Sequence, residues 1–204
     1  LAVLLEAVER AAVGPAGSVF VSDPASGSVE TFDAFGRPVA RREGFARPLG
    51  IAVNAQADLA LAEEQPGRVN VFDAQWNLLY ALGQGNGEFQ LPNHLAWDAV
   101  PGSNTLYVAD SKANLIKVYA GPNLIRTFGG AGTGNGQFDF PAGLCIRTNG
   151  EVCVVDQNND RVQVFDRAGN FLRRFGLGSS KPSGRSQAVL ADAAGRLQVA
   201  DSFQ

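Results

Sequence analysis

One histidine, His94, is all that 204 residues contain, and this scarcity narrows the chemistry before any motif is read. A nucleophile–base triad needs an imidazole or its equivalent beside the nucleophile, and no Gly-x-Ser-x-Gly elbow accompanies His94. A catalytic zinc needs three protein ligands and an open position, more than one histidine supplies. Lysine is confined to Lys112, Lys117 and Lys181, so the cations are mostly arginine. With a net charge of −3 and a pI of 5.2 there is no basic stripe to mark a nucleic-acid surface. No apolar run approaches the roughly 20 residues of a membrane-spanning helix. Cysteine occurs twice, at Cys145 and Cys153, which leaves the redox compartment open.

What is abundant is turn chemistry: 24 glycines, 10 prolines and 13 phenylalanines suit many short strands. Residues 132–176 read as four apolar runs, LCI, VCVV, VQVF and FLRRF, separated by TNGE, DQNNDR and DRAGN. That pattern is a four-stranded antiparallel meander, and it recurs along the chain. In each unit an acid stands nine positions before an aromatic: Asp23 and Phe32, Glu63 and Phe72, Asp110 and Tyr119, Asp156 and Phe165. A fifth acid, Asp201, stands where the next unit needs one. The steps between acids, by subtraction, are 40, 47, 46 and 45 residues. A period of about 40 to 45 residues with four strands is one blade of a β-propeller. The blades are expected at 1–44, 45–88, 89–137 and 138–184, with a partial one at 185–204.

The pattern G-x-G-x-F-x-x-P-x-G-[IL]-x-[VI], a turn, then V-x-V-x-D-x-x-N-x-R-[IV]-x-V-F resembles the NHL repeat. The fourth unit matches nearly throughout, with Gly134, Gly136, Phe138, Pro141, Gly143, Asp156, Asn159, Arg161, Val162 and Phe165. The third keeps Gly85, Gly87, Phe89, Pro92 and Asp110. The first two are degraded: Glu63 replaces the Asp, and Ser28 stands where Arg is expected, though Arg68 is kept. The resemblance implies an all-β propeller of four-stranded antiparallel blades, four and a half of them here. It also implies a six-bladed ring, which at this period needs roughly 270 residues, so the chain is expected to be a segment of a larger ring. A complete, compressed ring of four or five blades is the alternative.

In chain order, LAV at 1–3 aligns with the first strand of a unit, and no methionine precedes it. Residues 4–17 read as an insertion whose Ala, Leu and Glu content and Leu5, Val8, Ala12 spacing favour one or two helical turns. Arg41 and Arg42 end an outer strand, where exposed charge discourages edge-to-edge pairing.

Chemistry is sought where the innermost strand of each blade begins, at the mouth of the propeller's channel. Those positions are Leu49 and Gly50, Asn93 and His94, Ala142 and Gly143, Gln187 and Ala188. His94 is expected at this rim. The resemblance extends here to amidating lyases of a related six-bladed fold, whose zinc-binding histidines sit in a Pro-His-Ser-Leu-Ala context similar to Pro92-Asn93-His94-Leu95-Ala96 shifted by one residue. That would make His94 a zinc ligand, but as a lone histidine it reads first as a structural or rim residue. Asp156-Gln157-Asn158-Asn159-Asp160 has the alternating oxygens of a calcium loop, yet Arg161 and Arg167 stand where an EF-hand requires Gly and Glu. The plainer reading is a turn closed by Asp and Asn side chains, with Arg161 reaching back to a carboxylate. Gly83-Gln84-Gly85-Asn86-Gly87 and 129–136 lead into Phe-x-x-Pro and a strand, so they are blade connections and not phosphate loops.

If Asn149-Gly150 is a two-residue hairpin turn, Ile146 opposes Cys153 and the two cysteines fall on opposite faces of the sheet. Phe32, Phe72, Tyr119 and Phe165 recur once per unit and are expected to pack between blades. Trp97 reads as core. Trp76, in the turn Asp73-Ala74-Gln75-Trp76-Asn77, is expected as an exposed aromatic that anchors a partner.

These observations point to a rigid scaffold for protein or ligand binding within a larger protein or assembly, with no cofactor. Contacts are expected from Asn93, His94, Gln187 and Trp76. The alternative is a metal-assisted lyase or hydrolase, with zinc or calcium and its remaining ligands outside this segment; His94 and Asp156 are the weak metal candidates. RNA binding, known for some NHL domains, is disfavoured by the acidic pI. Bacterial NHL proteins are often exported, so an extracellular or periplasmic location is expected.

Overall fold

The computed structural model describes residues 10–83, 88–98, 100, 102–176, 185–191 and 196–202. Residues 1–9, which include the LAV expected as an inner strand and part of the expected helix, lie outside that set, as do Gly85 and Gly87. The chain is all-β. Four sheets each contain four antiparallel strands laid down in chain order: β1 (Arg10–Val13), β2 (Val19–Asp23), β3 (Ser28–Phe32) and β4 (Pro38–Glu43); β5 (Pro48–Val53), β6 (Leu59–Glu63), β7 (Arg68–Phe72) and β8 (Leu78–Leu82); β9 (Pro92–Trp97), β10 (Thr105–Asp110), β11 (Leu115–Ala120) and β12 (Asn123–Gly129); β13 (Pro141–Ile146), β14 (Val152–Asp156), β15 (Arg161–Phe165) and β16 (Phe171–Gly176). A two-stranded sheet follows, β17 (Arg185–Ala191) with β18 (Leu197–Ser202). By internal contacts the chain forms two compact units, Leu1–Leu95 and Ala96–Gln204.

The middle strands carry apolar side chains on both faces because both faces are covered. β6 and β14 are buried at every position, whereas β4 is exposed at every position. The outer strands therefore tolerate Arg41, Arg42, Arg173 and Arg174. Each four-stranded sheet shifts register between its third and fourth strands just before the recurring aromatic: at Thr31/Phe32, Val71/Phe72, Val118/Tyr119 and Val164/Phe165. The bulge bends the strand and turns the aromatic inward.

In the first unit Val29 packs with Ile51, Leu59 and Leu61, flanked by Phe20, Phe45, Phe72 and Trp76. In the second, Tyr107, Ala109, Ile116 and Val118 of one sheet meet Leu144, Val152, Val154 and Phe165 of the next, together with Phe138 of the connection between them. Phe165 touches Phe128, Phe138 and Phe171 at ring-centroid distances of 5.0, 5.5 and 6.0 Å. This is packing between sheets by a recurring aromatic, and Trp97 is likewise buried.

The expected helix is replaced where the structure describes it. Arg10–Val13 is β1, paired residue for residue with β2, and only Pro15–Gly17 turns, as a short 3-10 segment. Ala and Glu favour helix locally, but β2 would otherwise lack its inner partner, and pairing outweighs a weak intrinsic preference. The distance to the acid identifies the correct segment: Ala11–Val13 precedes Asp23 by the same 10–12 residues as Ile51–Val53 precedes Glu63 and Leu144–Ile146 precedes Asp156.

The cysteine register also differs from expectation. Cys145 lies opposite Cys153, and Ile146 opposite Val152. The loop contains three residues, not two: Arg147 N donates to Glu151 O at 2.8 Å and Gly150 N to Arg147 O at 2.8 Å, with Gly150 at φ 89°. One added residue in the turn moves both cysteines onto one face.

Candidate functional site

The four recurring acids end the second strand of each sheet, and all four are fully buried. Burying a carboxylate is costly unless it is paired and hydrogen-bonded. Asp156 meets that demand with four donors. Its Oδ1 accepts from Asp139 N at 2.7 Å, and its Oδ2 accepts from Arg161 Nε at 2.6 Å, Asn159 Nδ2 at 2.9 Å and Gln163 Nε2 at 3.0 Å. Arg161 continues outward to the carbonyls of Thr133, Gly134 and Gln137 at 2.7 to 3.0 Å. The acid and its arginine thus tie the glycine-rich connection to the sheet that it enters.

Glu63 repeats the arrangement in the first unit, accepting from Arg68 Nε at 2.9 Å, Asn70 Nδ2 at 2.6 Å and Ala46 N at 2.7 Å. Asp110 takes Lys117 Nζ at 2.9 Å, and Asp23 caps the following turn through Ala25 N and Ser26 N. These N–H and guanidinium donors occupy the oxygens that a calcium loop would turn toward its cation. Asp156 is a fastening residue, and Gln157–Asn159 is a 3-10 turn.

The innermost strands begin earlier than the sequence suggests. Pro48, Pro92 and Pro141 open β5, β9 and β13, a position where the missing N–H costs no ladder bond. The residues expected just ahead of these strands lie within them. Leu49 and Gly50 fall at a register shift in β5, Ala142 at the corresponding shift in β13, and Gln187 at that in β17.

In the first unit these strand starts converge. Ser22 Oγ donates to Leu49 O at 2.7 Å and lies 3.3 Å from Arg10 O. A Cβ on Gly50 would stand 2.8 Å from Asn93 O and 3.2 Å from His94 Cα, so only glycine allows the two backbones this approach. Arg10, Gly50, His94 and Gly143 hold the same place in successive strands, immediately before AAV, IAV, LAW and LCI. Within the first unit the two long side chains, Arg10 and His94, flank that glycine in sequence order. Arg10 was missed by sequence reasoning, because the segment containing it reads as helix; its distance to Asp23 is the signal that finds it.

His94 is half-buried as a residue, but its Nδ1 is enclosed and has no hydrogen-bond partner among the described residues. Burial, reinforced by the Arg10 guanidinium, pushes its pKa down to about 3. The imidazole is therefore neutral at physiological pH. Asn93 beside it is also half-buried, whereas Leu49, Gly50, Ala142 and Gly143 are buried and apolar or small. Among the described residues no group of three or more His, Cys, Asp or Glu is placed to hold a metal ion. His94 lies near the start of β9, and Asp156 ends β14.

Trp76 is not an exposed anchor. It is half-buried, with its ring against Phe20, Phe45 and Phe72 at centroid distances of 6.4, 6.2 and 5.5 Å, and Arg42 over it at 5.6 Å. The loop's geometry turns it inward: Trp76 has φ 65°, in the place that glycine holds in the matching loops at Gly36 and Gly169. No helix among the described residues is long and apolar enough to cross a membrane.

Residues 138–165 match the model of the NHL repeat. The chain is 31% identical over 137 residues to the brain tumor protein of Drosophila melanogaster, covering 65% of this chain and 12% of that one. It is 31% identical over 158 residues to NHL repeat-containing protein 2 of Bos taurus, covering 61% and 21%. The chain therefore spans a small part of these relatives. Among solved structures, virginiamycin B lyase from Staphylococcus aureus aligns with a TM-score of 0.71 at 14% identity, over 94% of this chain and 62% of the lyase. The WD40 β-propeller domain of Doa1 aligns with a TM-score of 0.70 at 14% identity, over 94% and 59%. At these identities the structural likeness establishes the β-propeller fold alone.

Proposed function

We propose that this chain, which carries an NHL repeat at residues 138–165 and resembles NHL-repeat proteins over a longer stretch, is a rigid β-propeller scaffold that binds a protein partner or ligand within a larger protein or assembly. The contacts are the starts of its innermost strands, with Asn93, His94 and Gln187 foremost. The observation that carries this reading is the use made of the buried acids. Asp156 and Glu63 each accept a backbone N–H from the segment leading into their sheet and pair with an arginine of the third strand. A frame fastened in this way orders little on binding, so little of the interaction energy is lost to conformational entropy. The neutral His94 and the amide of Asn93 supply hydrogen-bonding groups without a charge to desolvate. The much greater length of the relatives fits a propeller that serves as one part of a larger chain.

Affinity capture from an extract of the source organism tests this reading, with the immobilised chain compared with Asn93→Arg and Gln187→Arg. Proteins retained by the parent chain are expected to be lost with either substitution while thermal unfolding is unchanged. Retention that is indifferent to both removes the strand starts as the contact surface. The same proposal places the protein in an extracellular or periplasmic compartment, which cell fractionation checks.

A further inference from the structure

The two cysteines face each other across the first hairpin of the fourth sheet. Arg147 and Glu151 close its loop as a hydrogen-bonded pair. By alternation Ile146/Val152 is a non-hydrogen-bonded pair, and Cys145/Cys153 is hydrogen-bonded again. Opposed residues of that kind have Cα atoms about 5.5 Å apart, within the span of about 4.4–6.8 Å that a disulfide bridges. Both side chains leave the sheet on the same face and the two thiols are in hydrogen-bond contact. Cys153 is buried among Val155, Val162, Val164 and Val189, and Cys145 is half-buried at the edge of that cluster, so Cys145 is the more exposed residue of the pair and Cys153 the deeper.

Sulfur is not a requirement of the repeat at this pair of positions. The same pair of opposed positions is filled by Ala12/Phe20 in the first sheet and Ala52/Ala60 in the second. The repeat needs only small or apolar side chains at this point.

We infer that Cys145 and Cys153 form an oxidisable dithiol, a site at which a low-molecular-weight disulfide closes a cross-strand cystine. The proton shared between the sulfurs lets one of them carry the thiolate. The hydrogen bond from Cys145 favours the Cys153 thiolate, against its burial and with help from Arg147 and Arg173, whereas the Cys145 thiol is raised by the same contact and by burial. Cys153, the favoured thiolate, is the deeper of the pair, so attack goes through the form in which the shared proton has passed to Cys153. Cys145 Sγ, then the thiolate, attacks one sulfur of the small disulfide, forming a mixed disulfide and expelling one thiolate. Cys153 Sγ then attacks Cys145 Sγ, forming the protein S–S bond and expelling the second thiolate. Two protein thiols lose two electrons, the small disulfide gains them, and its two thiolates take up the two protons.

The experiment is a titration of the native full chain with glutathione disulfide, quenched by alkylation and read by intact mass and tryptic mapping. Arg147 lies between the cysteines, so trypsin leaves them on separate peptides that only a disulfide joins. The expected result is a mass lower by two hydrogens, both thiols protected from alkylation, a linked Cys145–Cys153 peptide, and recovery of both thiols with dithiothreitol. Cys153→Ser should stop at a persistent glutathione adduct on Cys145; if that variant does not fold, the parent time course still shows the adduct rise and decay. A parent chain that ends as a stable glutathione adduct overturns the inference, as do thiols that react only after denaturation.

Discussion

Arg161 Nε lies 2.6 Å from Asp156 Oδ2, in a pair with 7% of the arginine side chain and none of the aspartate exposed to solvent. The matching pair of the second sheet, Arg68 and Glu63, buries its acid equally but leaves 38% of the arginine side chain exposed. The same repeat position thus carries two different electrostatic loads.

Removing one partner of a buried pair strands the other, at a cost of about 3–5 kcal/mol. Arg161→Ala should fall in that range, because it also abandons the carbonyls of Thr133, Gly134 and Gln137. Arg68→Ala should cost about 1–2 kcal/mol, since Asn70 and Ala46 still satisfy Glu63. Urea unfolding of the two variants checks the order, and equal losses would contradict the fastening role given to Arg161.

Ala57 and Trp76 occupy one place in two loops, both with positive φ, at 68° and 65°. A left-handed non-glycine residue costs about 1–2 kcal/mol, and glycine's greater freedom in the unfolded chain returns about 0.5–1 kcal/mol of that. Ala57→Gly should therefore stabilise the protein by about 0.5–1 kcal/mol. Trp76→Gly should do the reverse, because losing a packed aromatic costs about 3–5 kcal/mol and this ring meets three phenylalanines. Thermal unfolding of both variants reads the two signs; stabilisation by Trp76→Gly would mean that the ring contributes no packing.

His94 ties stability to pH. Its folded pKa of about 3 lies below the ordinary histidine value of 6.5, so the unfolded state takes up a proton first. The stabilisation is complete above about pH 6.5 and is lost progressively as pH falls toward about 3. Between about pH 6.5 and 5 the loss should be about 2 kcal/mol, and His94→Gln should flatten it. As the chain's only histidine, His94 gives an isolated imidazole signal by NMR. A titration midpoint near 6.5 in the folded protein would refute the burial argument.

The sequence alone determined the repeat. Acids spaced by a blade length, an aromatic nine residues after each, and prolines and glycines between apolar runs are local features, and four sheets follow from them because strand and turn chemistry are read within a few residues. It also indicated that Arg161 reaches back to a carboxylate of its own turn, and the structure identifies that carboxylate as Asp156. Tertiary structure decided three things that local pattern misassigned. Arg10–Val13 is a strand because β2 needs an inner partner, although its residues favour helix; this puts Arg10 near His94. Cys145 faces Cys153 because the loop holds three residues, and a single residue in a turn moves every side chain of a strand to the other face. Trp76 points inward because its loop takes a left-handed turn that its residue type disfavours and the surrounding phenylalanines hold in place. For Arg10–Val13 and Trp76, contacts made at a distance outweighed a weak local preference; for the cysteines the hydrogen bonds of the loop itself, Arg147 N to Glu151 O and Gly150 N to Arg147 O, set the register.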